Sequence, residues 1–279
     1  MKRLVLFSVI LFVLLCFCGC LSSEETTVTP EEGSLLTTIL KLGEPQDAIL
    51  LQTTDTAVLI DTGITANAAS VVRHLSRIGV TKLDALIITH FDQDHVGGAD
   101  AGLAAVTVDK IYMPNYAVDT PEYNAFVAAM DSCGISPQIV SEDVSFTLDS
   151  VLFEINPTQK EVKEGEDNNH SLITTVTYGD SRLLFMGDAE NARIKEFTKT
   201  NPAPVDFIKM PHHGKYHKPI KDLLDLVTPA YSCITSSNQE RAEEKTLEEL
   251  KERNITNYNI QSGNVYVSTD GTTLTVWQE

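Results

Sequence analysis

The sequence predicts a single α/β domain over residues 34–279, and three observations carry that reading. Apolar, β-branched runs of strand length recur along the chain with single helical segments between them, the pattern of mixed sheets covered by helices. Hydrophobic residues make up 42% of the 279, an ordinary globular composition. No internal repeat and no Pro/Gly-rich linker interrupts this stretch, which is long enough for one large two-layer or four-layer core.

The elements follow in order. Strands are expected at 35–41, 48–52 and 57–60, the last closed by Asp61-Thr62-Gly63. A helix over 66–77 has Ala69, Val72 and Leu75 on one side and Gly79 just past its end. An apolar strand at 84–89 runs into His90-Phe91-Asp92-Gln93-Asp94-His95, and Gly97-Gly98 then allow tight backbone before a short helix near 100–105. A strand at 110–113 ends at Pro114, and a helix over 121–133 starts on Pro121 and stops at Gly134. Strands are expected at 144–148, 150–155, 172–178 and 182–186, then a helix at 189–200, a strand at 205–210, a helix at 219–226 and a strand at 231–235. A Glu-, Lys- and Leu-rich helix spans 242–253, and a hairpin at 265–278 turns on Asp270-Gly271.

The N-terminus sets the compartment. Met1-Lys2-Arg3 and an apolar run from Leu4 to Phe17 have the layout of a secretory signal, with a charged start and a short apolar core. The run is shorter than the roughly 20 residues that span a bilayer. It ends in Phe17-Cys18-Gly19-Cys20, which resembles a lipobox, so residues 1–19 are expected to be removed and Cys20 to carry a lipid. Residues 20–33 are acidic and Thr/Ser-rich, a flexible tether. An uncleaved N-terminal anchor is the alternative, and both place the folded part outside the cytoplasmic membrane.

Lys and Arg number 21 against 39 Asp and Glu, a formal charge of −18, and without Lys2 and Arg3 the balance is 19 against 39, or −20. Such charge favours solubility and disfavours non-specific binding to nucleic acid or anionic membrane. Two cysteines remain in the body. Oxidising surroundings would permit a bond between Cys133 and Cys233, but Cys233 lies in the apolar Tyr231-Ser232-Cys233-Ile234-Thr235 and reads as an inert core thiol.

Chemistry concentrates where strands meet loops. His90, Asp92, Asp94 and His95 put four ligands for divalent cations within six residues, on a loop that can turn them toward one centre. Leu183-Leu184-Phe185-Met186 runs into Gly187-Asp188, and Phe207-Ile208-Lys209-Met210-Pro211 into His212-His213-Gly214. His170, just before the strand at 172–178, is a weaker candidate because a lone histidine there is often a surface residue. Together these groups suffice for two metals, which could share a bridging hydroxide and polarise a scissile bond. Asp61 reads either as a carboxylate orienting a ligand histidine or as an ordinary turn residue.

These motifs make the chain resemble the metallo-β-lactamase superfamily. The superfamily's H-x-H-x-D-H appears here as H-x-D-x-D-H-x-G-G over His90–Gly98, with Asp92 in the third position. That variant is similar to the extracellular hydrolase domain of ComEC-type competence proteins and their stand-alone relatives. Further likenesses to that branch are Leu42-Gly43-Glu44-Pro45-Gln46-Asp47-Ala48, Leu59-Ile60-Asp61-Thr62-Gly63, Asn169-His170-Ser171-Leu172, Gly187-Asp188-Ala189 and Lys209-x-x-His212-His213-Gly214. The resemblance implies a four-layer αββα sandwich with mixed sheets and a two-metal centre on one rim. It implies His90, Asp92, Asp94, His95, Asp188 and one of His212 or His213 as ligands, with His212 favoured and His213 facing substrate; His170 stands near the superfamily's usual third histidine. Two departures fall at the rim that meets substrate: Lys215 replaces the branch's serine after H-H-G, and Ser236–Glu243 lacks its His-Pro.

The leading expectation is a metal-dependent hydrolase of phosphodiesters, acting on a small molecule or on single-stranded nucleic acid as a lipid-tethered monomer. Asp94, His213 and Lys215 are its catalytic candidates, the last two offsetting charge that develops on the substrate. Replacing a histidine by Asp92 hardens one site, so the cofactors are two divalent ions, Zn2+ or alternatively Mn2+. Long nucleic acid conflicts with the negative charge, although Lys209, Lys215, Lys218 and Lys221 read either as a local basic strip or as ordinary surface residues. The alternatives are a lactone, thioester or β-lactam hydrolase, which Asp92 fits poorly, and a non-catalytic metal-binding lipoprotein.

Overall fold

Strands buried on both faces read as continuous apolar runs, because no face is left for polar residues. Ala57–Ile60 is of this kind, and Leu35–Ile39 and Ile49–Gln52, also buried at every position, depart from it only at Thr37, Thr38 and Gln52. A computed structural model describes residues 27–279; the expected signal segment, Cys20 and the first part of the expected tether lie outside the described residues.

Two mixed sheets form. The first orders its strands Leu274–Gln278, Val265–Thr269, Leu35–Ile39, Ile49–Gln52, Ala57–Ile60, Ala85–Ile87, Ile111–Pro114 and Gln138–Val140. The second orders them Thr256–Asn259, Tyr231–Ile234, Phe207–Lys209, Ser181–Phe185, Ile173–Tyr178, Val151–Asn156 and Val144–Leu148. Between the sheets lies one core, including Leu35, Ile60, Phe153, Phe185 and Phe207. A second core, with Leu75, Leu86, Leu103 and Phe126, joins the first sheet to the helices Ala68–Arg77, Ala99–Ala105 and Pro121–Cys133. A third, with Ile194, Ile208, Leu224 and Leu250, joins the second sheet to Asn191–Thr198, Ile220–Val227 and Glu244–Glu252. The layers are therefore helix, sheet, sheet, helix, the αββα sandwich expected.

Parallel pairing decides where function sits. Ala57–Ile60 runs parallel to Ala85–Ile87, and Ser181–Phe185, Phe207–Lys209 and Tyr231–Ile234 run parallel to one another. Parallel strands end on the same side, and ligand sites of α/β sheets gather outside those carboxyl ends. Asp61, His90, Asp188, His212-His213 and Thr235 all follow the ends of these five strands.

Several expectations shift. The first helix buries Ala68, Val71 and Leu75, whereas Ala69 is exposed, so its core face sits one residue earlier than the pattern suggested. Gln138–Val140 and Thr256–Asn259 are additional strands, and Lys82–Leu83 pairs with Thr107–Val108 in a small separate sheet. The helix expected after the glycines is present as Ala99–Ala105, and an additional helical turn, Gln93–Val96, precedes them. It stacks on the Asp61-Thr62-Gly63 turn: Thr62 N–H donates to His95 O (2.8 Å) and Gly98 N–H to Gly63 O (2.9 Å). A Cβ on Gly97 or Gly98 would collide with backbone atoms of that turn and of Gln93, so the pair is needed for close approach. Both body cysteines are free, with Cys233 buried in the core and Cys133 exposed. No helix among the described residues is long and apolar enough to cross a membrane.

Candidate metal centre

His90 and His95 are wholly buried, and their orientation follows from an ordered chain of donors. Asp61 takes Thr89 N–H on Oδ1 and Thr89 Oγ1–H on Oδ2, each at 2.8 Å. Thr89 Oγ1 has one proton, already given to Asp61, so it accepts from His90 Nδ1 at 3.0 Å. His95 Nδ1 donates to Asp61 Oδ2 at 2.7 Å. Both rings therefore carry a proton on Nδ1 and aim Nε2 toward the rim. Asp61 thus does orient a histidine.

Four side chains converge there: Asp94, His95, Asp188 and His213, whose ligand atoms lie within 4.8 Å of one another. His95 Nε2 is 3.2 Å from Asp188 Oδ1, and His213 Nε2 is 3.1 Å from Asp188 Oδ2 and 2.9 Å from Asp94 Oδ2. His213 Nδ1 is held by Thr235 Oγ1 at 2.9 Å. Beside this group, His90 Nε2 lies 3.7 Å from Asp92 Oδ2. Asp92 occupies the position before the turn Gln93–Val96 but makes no capping hydrogen bond, so its carboxylate is not engaged by the helix. The buried Nε2 atoms of His90 and His95 and Oδ1 of Asp188 have no hydrogen-bond partner. Buried polar atoms left unpaired are costly, and N and O donors aimed at a common space are the set a divalent cation takes. The residues fit a metal centre.

His212 does not join the group. Its Nε2 is 3.9 Å from Asp188 Oδ2 and accepts from Lys215 Nζ at 2.8 Å. Because an ammonium only donates, the ring proton sits on Nδ1, which faces Glu190 Oε1 at 3.3 Å and His217 Nε2 at 3.3 Å. In this geometry His213, rather than the expected His212, joins the four-residue group, and His212 lies in a separate group with Glu190 and His217. Both residues have positive φ (48° and 50°), so the backbone coils left-handed through the pair and swings the second ring inward. His170 also stays apart. It ends the short helix Asp167–His170 and stacks on Tyr116 with ring centroids 3.7 Å apart. Lys215 is exposed and reaches the site only through His212.

Sequence reasoning assigned no role to Asp47, Glu190, His217 or Thr235, and placed Lys209 on the surface. Lys209 is fully buried; a lysine in the apolar strand Phe207-Ile208-Lys209 was the available signal.

Charge is distributed accordingly. Burial alone would lower His213, but the carboxylates of Asp188 and Asp94 overcome it and raise the ring to about 9. His95 follows the same pattern, its burial outweighed by Asp188, Asp61 and Asp94, and lies well above its usual range. Asp188 is held well below the ordinary carboxylate range, its burial outweighed by His213 and His95. His212 goes the other way, lowered by burial to about 4. In metal-free protein, a histidine raised in the fold contributes stability that is complete below its unfolded value near 6.5 and is lost as pH rises through about 9. The cost of keeping His212 neutral arises only as pH falls from 6.5 toward 4, outside that window. Melting of chelator-treated protein is therefore expected at lower temperature at pH 9 than at pH 6.5; a flat or rising trend would contradict this charge arrangement.

A four-layer sandwich whose one rim gathers paired histidines and aspartates defines a metal-binding αββα protein. The chain belongs to the metallo-beta-lactamase superfamily of metal-dependent hydrolases, whose family model matches residues 42–234. It is 26% identical over 219 residues to ComE operon protein 3 of Bacillus subtilis (71% of this chain, 28% of that protein). It is 28% identical over 195 residues to Competence protein ComA of Neisseria gonorrhoeae (68% of this chain, 25% of that protein). The chain thus spans little more than a quarter of the length of these relatives. Among solved structures it is similar in fold to the metallo-beta-lactamase fold protein YhfI of Bacillus subtilis, with a TM-score of 0.57 at 13% identity, covering 88% of this chain and 100% of that one.

Proposed function

We propose that this protein is a metal-dependent phosphodiesterase working outside the cytoplasmic membrane, tethered by a lipid on Cys20. The observation that carries the reading is the convergence of Asp94, His95, Asp188 and His213 beside His90 and Asp92, with buried donor atoms left unpaired. Asp94, His95, Asp188 and His213 would hold one divalent ion, and His90 and Asp92 would contribute to a second. Such ions, Zn2+ or Mn2+, supply Lewis acidity and a water made acidic near neutral pH. Around them the chain's own groups act on fixed atoms. Asp61 keeps the His95 lone pair directed inward, and Thr235 does the same for His213. Lys215 stands at the rim, where its ammonium offsets negative charge on a phosphoryl group.

The basic strip read from sequence does not survive folding. Lys209 is in the core, and Lys221 is paired with Glu249 at 2.9 Å. Only Lys215 and Lys218 remain for a substrate, too few to track a long anionic backbone. A small phosphodiester is therefore favoured over long nucleic acid.

Assay of purified protein with Mn2+ or Zn2+ on a chromogenic phosphodiester, on single-stranded DNA, and on a lactone and a β-lactam tests the reading. Turnover confined to the last two, or none with metal bound, would sink it. His213→Ala should lose bound metal and lower kcat/KM by at least ~10²-fold, as expected for removing a group that holds the reacting centre. His212→Ala should retain its metal content; the opposite ranking in metal analysis would restore His212 as the ligand.

A further inference from the structure

The strand Phe207–Lys209 places Phe207 in the core between the sheets, and Lys209, two residues on, shares that face. An ammonium there needs opposite charge, because an unpaired buried cation is prohibitively costly. It finds two carboxylates. Nζ pairs with Asp47, which precedes Ile49–Gln52 in the opposite sheet, and lies 3.6 Å from Asp188 Oδ1. Its remaining contact is Gly187 O at 3.2 Å. Asp47 is itself tied to both loops of the rim: its N–H donates to Asp94 O at 3.1 Å, and its carbonyl accepts Gly63 N–H at 2.8 Å. Its carboxylate also lies 4.0 Å from His95 Nδ1 and 3.8 Å from His213 Nδ1.

We infer that Lys209 is the internal counter-ion of the metal centre, a positioning residue that holds Asp47 and Asp188 together in the absence of a cation and sets how strongly divalent metal stabilises the fold. The inference rests on the metal-centre reading above. A lysine serving only to clamp the sheets would be satisfied by Asp47. This one also faces Asp188, whose Oδ1 lies 3.6 Å from Nζ and 3.2 Å from His95 Nε2. Removing the ammonium takes the close ion-pair partner from buried Asp47 and leaves Asp188 to His95 and His213 alone, a shortfall of positive charge that a bound cation relieves. A ligand that binds the native state stabilises it in proportion to its affinity. Loss of Lys209 must therefore weigh more heavily on the metal-free protein than on the loaded one.

The test compares melting of wild type and Lys209→Met in EDTA and in saturating Mn2+. The metal-free variant is expected to melt about 10 °C below wild type, as for one partner of a buried pair removed from a domain of this size. The loaded variant should fall by less than half as much, so that its metal-induced shift widens. Asp47→Asn combined with Lys209→Met removes both charges and should return that shift toward the wild-type value, including where the single variant is too unstable to isolate without metal. Equal falls in both states, or a double variant with the same widened shift, would overturn the inference and leave Lys209 a plain pillar of the core. A wild type whose melting ignores Mn2+ and Zn2+ alike overturns the metal-centre reading first, and this inference with it.

Discussion

Asp94→Ala is expected to abolish the proposed phosphodiesterase activity, lowering kcat/KM by at least ~10³-fold, beyond the ~10–100-fold typical of a group that only orients a ligand. The carboxylate lies at the centre of the site, 2.9 Å from His213 Nε2 and 3.7 Å from His95 Nε2, with 30% of its side chain exposed. Burial would raise its carboxyl, but His95 and the hydrogen bond from His213 hold it far below the ordinary range, so it is an anion at any working pH. Partial exposure makes the substitution informative, because a rim residue can be truncated without emptying the core. Its melting in EDTA should fall only modestly, through loss of the ion pairs with His213 and His95, while bound metal is lost. Asp61→Asn provides the internal scale. It spares every atom facing substrate but gives His95 Nδ1 a weaker partner, and should cost only ~10–100-fold. Retained activity in Asp94→Ala would place the chemistry elsewhere.

Arg193→Met destabilises the fold by about 3–5 kcal/mol, the cost of removing one partner from a buried charged network, and lowers the melting temperature by about 10 °C. Arg193 is 1% exposed, in the helix Asn191–Thr198. Its guanidinium donates to Ser171 O at 3.0 Å and to Asn156 O and Oδ1, while Glu196 lies 3.6 Å away. Burial lowers it to about 10, against the opposing pull of Glu196, so it remains charged at neutral pH. Methionine would fill much of the volume but leave those carbonyls buried and unpaired. The effect should reach the site as well, because Ser171 Oγ accepts the N–H of Asp188 at 3.0 Å. A melting temperature within about 2 °C of wild type would show that the network contributes little.

The centre was partly legible because its residues carry local signals. His90, Asp92, Asp94 and His95 are close in sequence and follow an apolar strand, and such a density of ligand types needs no tertiary information to be noticed. Asp188 stood out for the same reason, a carboxylate beside a glycine where an apolar strand ends. The order of His212 and His213 was not legible. Two adjacent histidines present identical chemistry, and only the left-handed backbone at both turns the second one inward. Lys209 was misplaced because a single charge in an apolar run reads as exposed unless its partner is known. That partner, Asp47, is far away along the chain and in the other sheet. Thr256–Asn259 escaped notice because it is short and its strand-favouring Thr and Tyr alternate with strand-poor Asn; it pairs in parallel with Tyr231–Ile234.

By itself the sequence determined the alternation of strands and helices, the dense set of metal-ligand residue types and the family, since each is written in short-range patterns of residue type. Tertiary structure alone decided which histidine faces the centre, which lysine is a buried charge rather than a surface one, and which carboxylates share a proton-poor pocket. The physical reason is that a charge or a lone pair acquires its role from what lies within a few ångströms of it in low dielectric. For Lys209, Asp47 and Asp188 those neighbours come from different sheets and meet only when the sandwich closes.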